Sequence, residues 1–254
     1  MPFVLSTVAI DTRAFRTPHR AYLRQMRLWQ TIRASGFGRH RHLEAYAAVV
    51  LSGGYEEAGD LGRLRVEAGN VVLHDGLEAH LDRFVSSGTV VLNLRLRMAG
   101  AFTPGLARIA DPDLIARTAE KDRGEATSLL LATATRQRPT SVDWPDELAA
   151  ALLQNPSRVL SRWGMQNGLA PWTLSRGFVQ VFGVSPEAFR ARARARQAWR
   201  SIETTAEPLA RIAADLGFSD QSHMTRDVKQ LTGMAPKALR AVANGFKTER
   251  KATL

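Results

Sequence analysis

Two segments of this chain, 50 residues apart, carry the same pattern. Residues 170–190 (APWTLSRGFVQVFGVSPEAFR) align without a gap on residues 220–240 (DQSHMTRDVKQLTGMAPKALR), and both copies hold an arginine, a glycine and a proline at matched places. In each copy the glycine ends a run of helical apolar spacing, and the proline stands where the next helix begins, with its φ already fixed. The repeat therefore predicts two similar helical units.

The second copy shows most clearly what such a unit is. Asp220 can cap a helix, and Met224, Val228 and Leu231 recur at i, i+4 and i+7 as one apolar stripe. A shorter amphipathic helix is predicted just before it, over residues 208–216. Two short helices joined by a few residues, the second with amide, hydroxyl and guanidinium groups on its outer face, are the parts of a helix-turn-helix DNA reader.

The C-terminal residues 141–254 resemble the tandem helix-turn-helix domain of the AraC/XylS family of bacterial transcription regulators. The segment GFSDQSHMTRDVKQLTGMAPKALR, residues 217–240, is close to the signature of that family. In the family a long helix joins two recognition helices, and the alanine-rich stripe of residues 188–202 suits that helix. Carried over by position, the resemblance implies seven DNA-contacting residues: Trp172, Ser175 and Arg176 in the first recognition helix, and Gln221, Ser222, His223 and Arg226 in the second.

The positive charge lies in the same part of the chain. The whole sequence has 35 lysines and arginines against 24 acidic residues, a net charge of +11, and residues 151–254 hold 16 of the basic and 7 of the acidic ones. A basic surplus on one domain is the electrostatic footprint of a phosphate binder. Charge alone is also compatible with a solvated basic face.

Cysteine is absent from the sequence. This fits a reducing compartment and excludes disulfides, thiolate metal sites and cysteine nucleophiles, and with them the cysteine-based DNA alkyl-damage acceptors that are relatives of the family. No stretch approaches the roughly 18 apolar residues of a membrane span, and the first residues lack the basic region of a secretion signal. We therefore expect a cytoplasmic protein with no membrane partner.

Residues 1–140 predict a different architecture. Short β-rich runs are separated by glycine turns, which is typical of an antiparallel barrel or jelly roll; the runs are residues 46–51, 64–66, 70–73 and 89–96. Residues 111–136 then indicate one or two linker helices, and residues 137–144 indicate a junction. The predicted fold is a mostly β domain with linker helices in residues 1–140, followed by an all-α tandem helix-turn-helix domain in residues 141–254.

Four of the six histidines fall between residues 40 and 80: His40, His42, His74 and His80. On a strand His40 and His42 point to the same face, because the side-chain period is two. The arrangement resembles the cupin barrel, in which a His-x-His pair and a histidine after a glycine-rich hairpin converge inside. A cupin-like sensing or dimerisation domain is therefore implied for residues 1–140.

The cupin pattern is incomplete here. Glu44 follows the histidine pair too closely, and the proline and glycine expected before the later histidine are replaced by Asp75 and Leu77. One interpretation is a divalent metal held by His40, His42 and His80, since imidazole suits Zn, Fe, Ni or Cu. The other is a metal-free effector pocket and dimer contact, which is the usual role of this domain in AraC-type regulators.

The sequence thus predicts a sequence-specific transcription regulator without enzymatic activity, modulated by a small molecule at the N-terminal domain. The partners implied are double-stranded promoter DNA, a small-molecule effector, RNA polymerase and a second copy of the chain in a homodimer. Two alternatives stay open: a constitutive DNA-binding regulator with a structural N-terminal domain, and a metal-dependent cupin enzyme. Coupling between the domains is expected within residues 111–144.

Overall fold

The computed structural model describes residues 22–23, 27–33, 35–84, 88–96, 102–139 and 143–252. These residues fall into two compact units. The first contains the described part of Ala21–Gln154 and all of Arg158–Phe189; the second contains Asn155–Ser157 and the described part of Arg190–Leu254. The predicted boundary at residues 140 and 141 lies outside the described residues, so the division into 1–140 and 141–254 stays a prediction.

The strands of the described chain all belong to the first unit. They are β1 (Tyr22–Leu23), β2 (Trp29–Ile32), β3 (Ser35–Arg41), β4 (Tyr46–Ser52), β5 (Gly54–Gly59), β6 (Gly62–Glu67), β7 (Asn70–His74), β8 (Ala79–Phe84), β9 (Thr89–Arg95), β10 (Gly105–Arg108) and β11 (Thr135–Arg136). A five-stranded sheet has the order β1-β3-β8-β5-β6, and a six-stranded sheet has the order β11-β10-β7-β4-β9-β2. Apart from the parallel pair β1 and β3, the pairings are antiparallel.

The helices are α1 (Pro112–Lys121), α2 (Arg123–Thr133), α3 (Trp144–Gln154), α4 (Leu160–Gln166), α5 (Pro171–Phe182), α6 (Pro186–Thr204), α7 (Leu209–Asp215), α8 (Gln221–Thr232) and α9 (Pro236–Ala252). Within the described residues, no helix has the length and apolar character needed to cross a membrane.

The six-stranded sheet is buried on both faces, as strand β4 illustrates. Ala48 and Val50 point into a core shared with the five-stranded sheet, whereas Ala47 and Val49 pack with α1 and α2. Successive residues of a strand face opposite sides, so a strand buried on both sides is apolar throughout, as β4 is over its first five residues. The two linker helices therefore cover the outer face of this sheet.

The five-stranded sheet is covered by a different set of helices. Ala58 of β5 and Leu81 of β8 belong to one apolar cluster with Phe178 and Phe182 of α5, together with side chains of α3 and α4. The first helix-turn-helix, α4 and α5, therefore packs on the outer face of this sheet within the first unit. Nothing in the local sequence pattern of α5 indicates such a contact.

The second unit has its own core around the second helix-turn-helix. The buried apolar side chains of this core come from α6, α7, α8 and α9 and from the turn before α8, and are Ala198, Ile202, Ile212, Ala213, Phe218, Met224, Val228 and Leu239. The alanine stripe predicted for a joining helix is confirmed as part of α6, which begins at Pro186 and ends at Thr204.

The predicted class, a β-rich N-terminal part followed by linker helices and a helical C-terminal part, is confirmed. The barrel is realised as two open sheets packed face to face, with apolar side chains of both sheets in one core. Among the described strands, the sheet edges β1 and β6 do not pair with the edges β2 and β11 of the other sheet. The layers are therefore held by side-chain burial rather than by a closed hydrogen-bond ladder.

Candidate functional site

Helix α8 forms as the sequence predicts. The Asp220 side chain accepts a hydrogen bond from the backbone N–H of His223 at 2.7 Å, which satisfies one of the free N–H groups at the helix start. The stripe of Met224, Val228 and Leu231 is buried. The helix ends at Gly233, whose φ of 77° lies in the left-handed region that glycine adopts without strain.

Helix α5 repeats this construction in the first unit. It begins at Pro171, buries Leu174, Phe178 and Phe182, and ends at Gly183 with a φ of 68°. Residues 171–180 and 221–230 have the same exposure, position by position: both helices are exposed at the first two and last two residues and buried at the fourth and eighth. The sequence repeat is therefore also a repeat of the surface that each helix presents.

The predicted DNA-contacting residues lie on the open side of both helices. Arg176 and Arg226 are exposed at matched positions, with the half-buried hydroxyls of Ser175 and Thr225 beside them. Trp172 is 70% exposed, an unusual state for a tryptophan, since large aromatic side chains are seldom left in water without a partner surface. The exposed side of the first two turns of α5 therefore offers an aromatic face as well as a cation.

Among the predicted DNA-contacting residues, His223 is held by several contacts within the protein. Its Nδ1 lies 3.1 Å from the hydroxyl of Ser219, and its Nε2 lies 3.4 Å from a carboxylate oxygen of Asp227. Its ring also meets the ring of Phe218 edge-on at 5.3 Å. The imidazole is thus oriented by its own helix and the preceding turn.

The arginines of α6 differ in their surroundings. Arg194 donates to the carbonyl of Gly217 at 2.9 Å and lies over the ring of Phe218, and partial burial lowers its pKa. It therefore fixes the turn that leads into α8. Arg196 is buried, so it does not belong to a solvated basic face.

The histidines of the N-terminal domain converge between the two sheets. His40 and His80 are directly opposite each other in the β3–β8 pair, with ring centroids 4.5 Å apart. His42 follows the end of β3, and its ring lies 5.1 Å from that of His40. Ligand atoms of the three imidazoles lie within 4.8 Å of one another, so the structure brings the predicted triad together.

The triad borders a cavity of about 40 Å³, hereafter the histidine cavity. Its polar lining includes His40, His42, Tyr46, Glu57, His80 and Asp82. A cavity of this size holds a few water molecules.

A second group of titratable side chains adjoins the cavity and was missed at the level of sequence. Glu57, His74, Glu78 and His80 are buried, with ligand atoms within 4.8 Å of one another. His74 Nδ1 lies 3.0 Å from Glu78 Oε1, and its Nε2 lies 3.5 Å from Glu57 Oε2. His74 stands in the histidine-rich segment, but no sequence signal separates Glu57 from the surface glutamates around it.

Burial shifts the pKa values of His80 and Glu57 in opposite directions. Burial lowers the pKa of His80 well below its ordinary value, and the neighbouring His74 and His40 lower it further. Burial likewise raises the pKa of Glu57 well above its ordinary value, with Asp82 and Glu78 adding to the effect. Neutral His80 therefore keeps a nitrogen lone pair, the form in which imidazole binds metals.

The triad suits a transition metal by donor type. His40 Nδ1 lies 3.1 Å from the carbonyl of Gly38, which can only accept, so Nδ1 carries a proton and Nε2 is the nitrogen left for a ligand. Within the described residues, His80 Nδ1 has no hydrogen-bond partner. These residues could hold a divalent metal through His40, His42 and His80, which stays a prediction.

Leu77 occupies the place where the cupin pattern has a glycine. It has a positive φ of 61° and a buried side chain. A leucine in the left-handed region is strained by about 1–2 kcal/mol. The β7–β8 turn therefore has a backbone conformation that a glycine would favour, with a leucine in that place.

Known proteins resemble the C-terminal part most. A family described as helix-turn-helix domain matches residues 165–241. The arabinose operon regulatory proteins of Salmonella typhimurium and Escherichia coli are each 37% identical over 73 residues, which is 29% of this chain and 26% and 25% of theirs. The chain thus spans about a quarter of the length of these curated relatives.

Solved structures of lower identity were also found. ToxT of Vibrio cholerae is 12% identical, covers 84% of this chain and 97% of its own, and has a TM-score of 0.37. A probable AraC family transcriptional regulator of Rhodopseudomonas palustris is 23% identical, covers 38% of this chain and 93% of its own, and has a TM-score of 0.35.

Proposed function

We propose that this chain, whose C-terminal part is a helix-turn-helix domain of the AraC/XylS family, is a transcription regulator that binds promoter DNA through α5 and α8. The observation that carries the proposal is the matched exposure of residues 171–180 and 221–230. Two helices that present equivalent polar surfaces after equivalent scaffold helices suit two successive major-groove segments. The basic surplus of residues 151–254 supplies attraction to phosphate.

Each predicted contact has a chemical role in this proposal. Arg176 and Arg226 are suited to bidentate contact with guanine, the commonest specific contact in the major groove. The amide of Gln221 can pair with adenine, and Ser175, Ser222 and His223 add donors or acceptors. Trp172 offers an apolar face to a thymine methyl or to the sugar backbone.

The test is selection of bound sequences from a random duplex pool by wild type, Arg176→Ala and Arg226→Ala, each at two salt concentrations. We expect wild type to enrich two motifs about 10 base pairs apart. Each substitution should relax one motif, with a loss of about 1–3 kcal/mol of base discrimination. Arg211→Ala is the matched control, because Arg211 is an exposed arginine of scaffold helix α7 whose Nε lies 3.0 Å from Asp215.

The outcomes separate sequence reading from charge. Loss of one motif per substitution, with the control unchanged, supports two base-reading helices. Binding that is blind to sequence and simply fades with salt contradicts the proposal and leaves a phosphate-binding domain. An equal loss in the Arg211→Ala variant contradicts the assignment of α5 and α8 as the readers.

We further propose that the histidine cavity is the sensing site. Its buried polar lining, with His40, His80 and Glu57, favours a small polar ligand or a divalent metal over an apolar one. Three further partners are proposed from the family resemblance alone: a small-molecule effector, a second copy of the chain and RNA polymerase. We propose no catalytic role.

Thermal unfolding of the full chain with Zn²⁺, with Ni²⁺ and with a panel of polar metabolites tests the sensing role. A ligand at 100 times its dissociation constant should add about 2.7 kcal/mol to the free energy of unfolding. The gain should disappear in a His40→Ala variant and persist in Glu44→Ala, since Glu44 is exposed and its carboxylate pairs with Arg95. The absence of any stabilising ligand would favour a constitutive regulator with a structural N-terminal domain.

A further inference from the structure

We propose that the five-stranded sheet couples the histidine cavity to the first recognition helix, α5, so that a ligand between the sheets acts on one DNA reader directly. The inference rests on the proposed function for its biological meaning. The physical coupling itself can be measured without DNA. It is carried by side chains that alternate along three neighbouring strands.

Two arginines of the sheet hold the C-terminal end of α5. Arg39 of β3 donates from Nη1 to the carbonyl of Phe182 at 3.0 Å. Arg83 of β8 donates from Nη2 to the carbonyls of Gln180 and Val181. The last four carbonyls of a helix lack partners within it, and cations are favoured at that end. These two side chains, the arginine clamp, therefore complete the helix from outside.

The arginine clamp is itself fixed to the sheet. Arg39 Nη2 lies 2.6 Å from Oδ1 of Asp60, whose other oxygen accepts from the backbone N–H of Ala79 at 3.0 Å. Arg83 pairs with Glu56 of β5 at 3.0 Å. Each guanidinium is bound to a carboxylate of the sheet on one side and to helix carbonyls on the other. A shift of the strand is therefore transmitted to the end of the helix.

Apolar contact between α5 and the sheet is close at the same place. A Cβ added to Gly183, directly after the helix, would lie 2.9 Å from Cδ2 of Leu81. Leu81 and Ala58 share a buried cluster with Phe178 and Phe182. Close-packed groups of this kind pass displacements on rather than absorb them.

The residues next to these contacts in sequence face the cavity instead. Side chains alternate along a strand, so each of the three strands carries one residue for the helix beside one for the cavity. The neighbouring pairs are Arg39 and His40 on β3, Ala58 and Glu57 on β5, and Leu81 and His80 on β8. The backbone that positions the cavity lining is therefore the backbone that holds α5.

The size of the cavity gives the coupling its direction. About 40 Å³ admits only a few waters between the sheets, so a ligand that places more atoms there presses on the lining strands, which include β3, β5 and β8. An occupant changes the helix only if it favours one arrangement of these strands over another. Helices α1 and α2, where the sequence led us to expect coupling, cover the far face of the other sheet.

The experiment fills the cavity with protein atoms. Ala48 of β4 lines the cavity, whereas the adjacent Ala47 packs toward α1 and α2. Ala48→Val therefore adds two methyl groups between the sheets, and Ala47→Val adds the same groups on the opposite face as a matched control. Hydrogen exchange of residues 178–183 in the full chain, without DNA, is the readout.

We expect Ala48→Val to speed exchange at the end of α5 by about threefold or more, and Ala47→Val to leave it unchanged. Removing the arginine clamp, Arg39→Ala with Arg83→Ala, should itself speed exchange there by about tenfold, as loss of charged hydrogen bonds implies. In that background Ala48→Val should have a smaller effect, because only the apolar contacts still pass the displacement on. Residues 228–233, the equivalent end of α8, are the internal control.

Three results would overturn the inference: unchanged exchange in Ala48→Val, an equal change in Ala47→Val, or an equal effect of Ala48→Val with and without the arginine clamp. If Ala48→Val does not fold, Val91→Ile fills the cavity from β9 and has the same interpretation. Because exchange is measured without DNA, failure of DNA binding would refute the proposed function and leave this test intact.

Discussion

At one glycine of the first recognition helix, helix propensity and packing have opposite effects on an alanine substitution. Gly177 lies inside α5, where alanine is about 1 kcal/mol more favourable than glycine in an isolated helix. A Cβ at this position would lie 2.5 Å from Cζ2 and 3.0 Å from Cη2 of Trp144. Overpacking of a core contact costs about 1–3 kcal/mol. We therefore expect Gly177→Ala to lower the free energy of unfolding by about 1 kcal/mol.

The indole of Trp144 is half-buried, and moving it aside would loosen its packing against the cluster around α5. Trp144 packs in the cluster around α5, with its ring centroid 6.5 Å from that of Trp163. Urea unfolding followed by far-UV circular dichroism measures the change in midpoint at constant slope. In a Trp144→Leu background the clash is gone, so Gly177→Ala should become stabilising by up to about 1 kcal/mol. A stabilising effect in the wild-type background, or the same effect in both backgrounds, would refute the reasoning.

Two further predictions concern charged side chains. The hydrogen bond from His223 N–H lowers the pKa of Asp220 from its ordinary 3.8, so this carboxylate stabilises α8 above that pH and its contribution is lost as the pH falls through the lowered value. The midpoint temperature of thermal unfolding, measured from pH 6 down to about pH 2, should therefore fall more steeply for wild type than for Asp220→Asn, because asparagine caps the helix without titrating. Parallel curves for the two proteins would contradict this. Arg63 donates to both oxygens of the buried Asp146, at 2.8 and 2.9 Å. Arg63→Ala should lower the free energy of unfolding in urea by roughly 2–3 kcal/mol, because it removes two charge-assisted hydrogen bonds from a buried carboxylate. The exposed Arg95→Ala should lower it by less than about 0.5 kcal/mol; equal losses would contradict the role of burial.

The helical part was predictable because its signals are local. Asp220, Gly233 and Pro236 act within one turn of chain, and each stands at the helix boundary it predicts. The strands with apolar runs, such as β4 and β7, were found for the same reason. Periodicity and capping depend only on neighbours in sequence.

The rest depends on contacts between distant residues. Strand β5 (GYEEAG) has no apolar run, because one of its glutamates is buried beside the cavity and the other pairs with an arginine of β8. The histidine triad was expected from its spacing, but the role of His74 and Glu78 beside it depends on the fold of the β7–β8 turn. The packing of α5 on a sheet more than 90 residues away in sequence has no local signature.

Strand β8 shows how little freedom in chain length this design leaves. His80 and Asp82 border the cavity, and Leu81 and Arg83 contact α5. One residue inserted within the strand would shift the register and exchange the two faces. An arginine would then face the core between the sheets, and an imidazole would face the helix. Engineering of new ligand specificity should therefore proceed by substitution at alternate positions of β8, with insertions confined to the turns on either side.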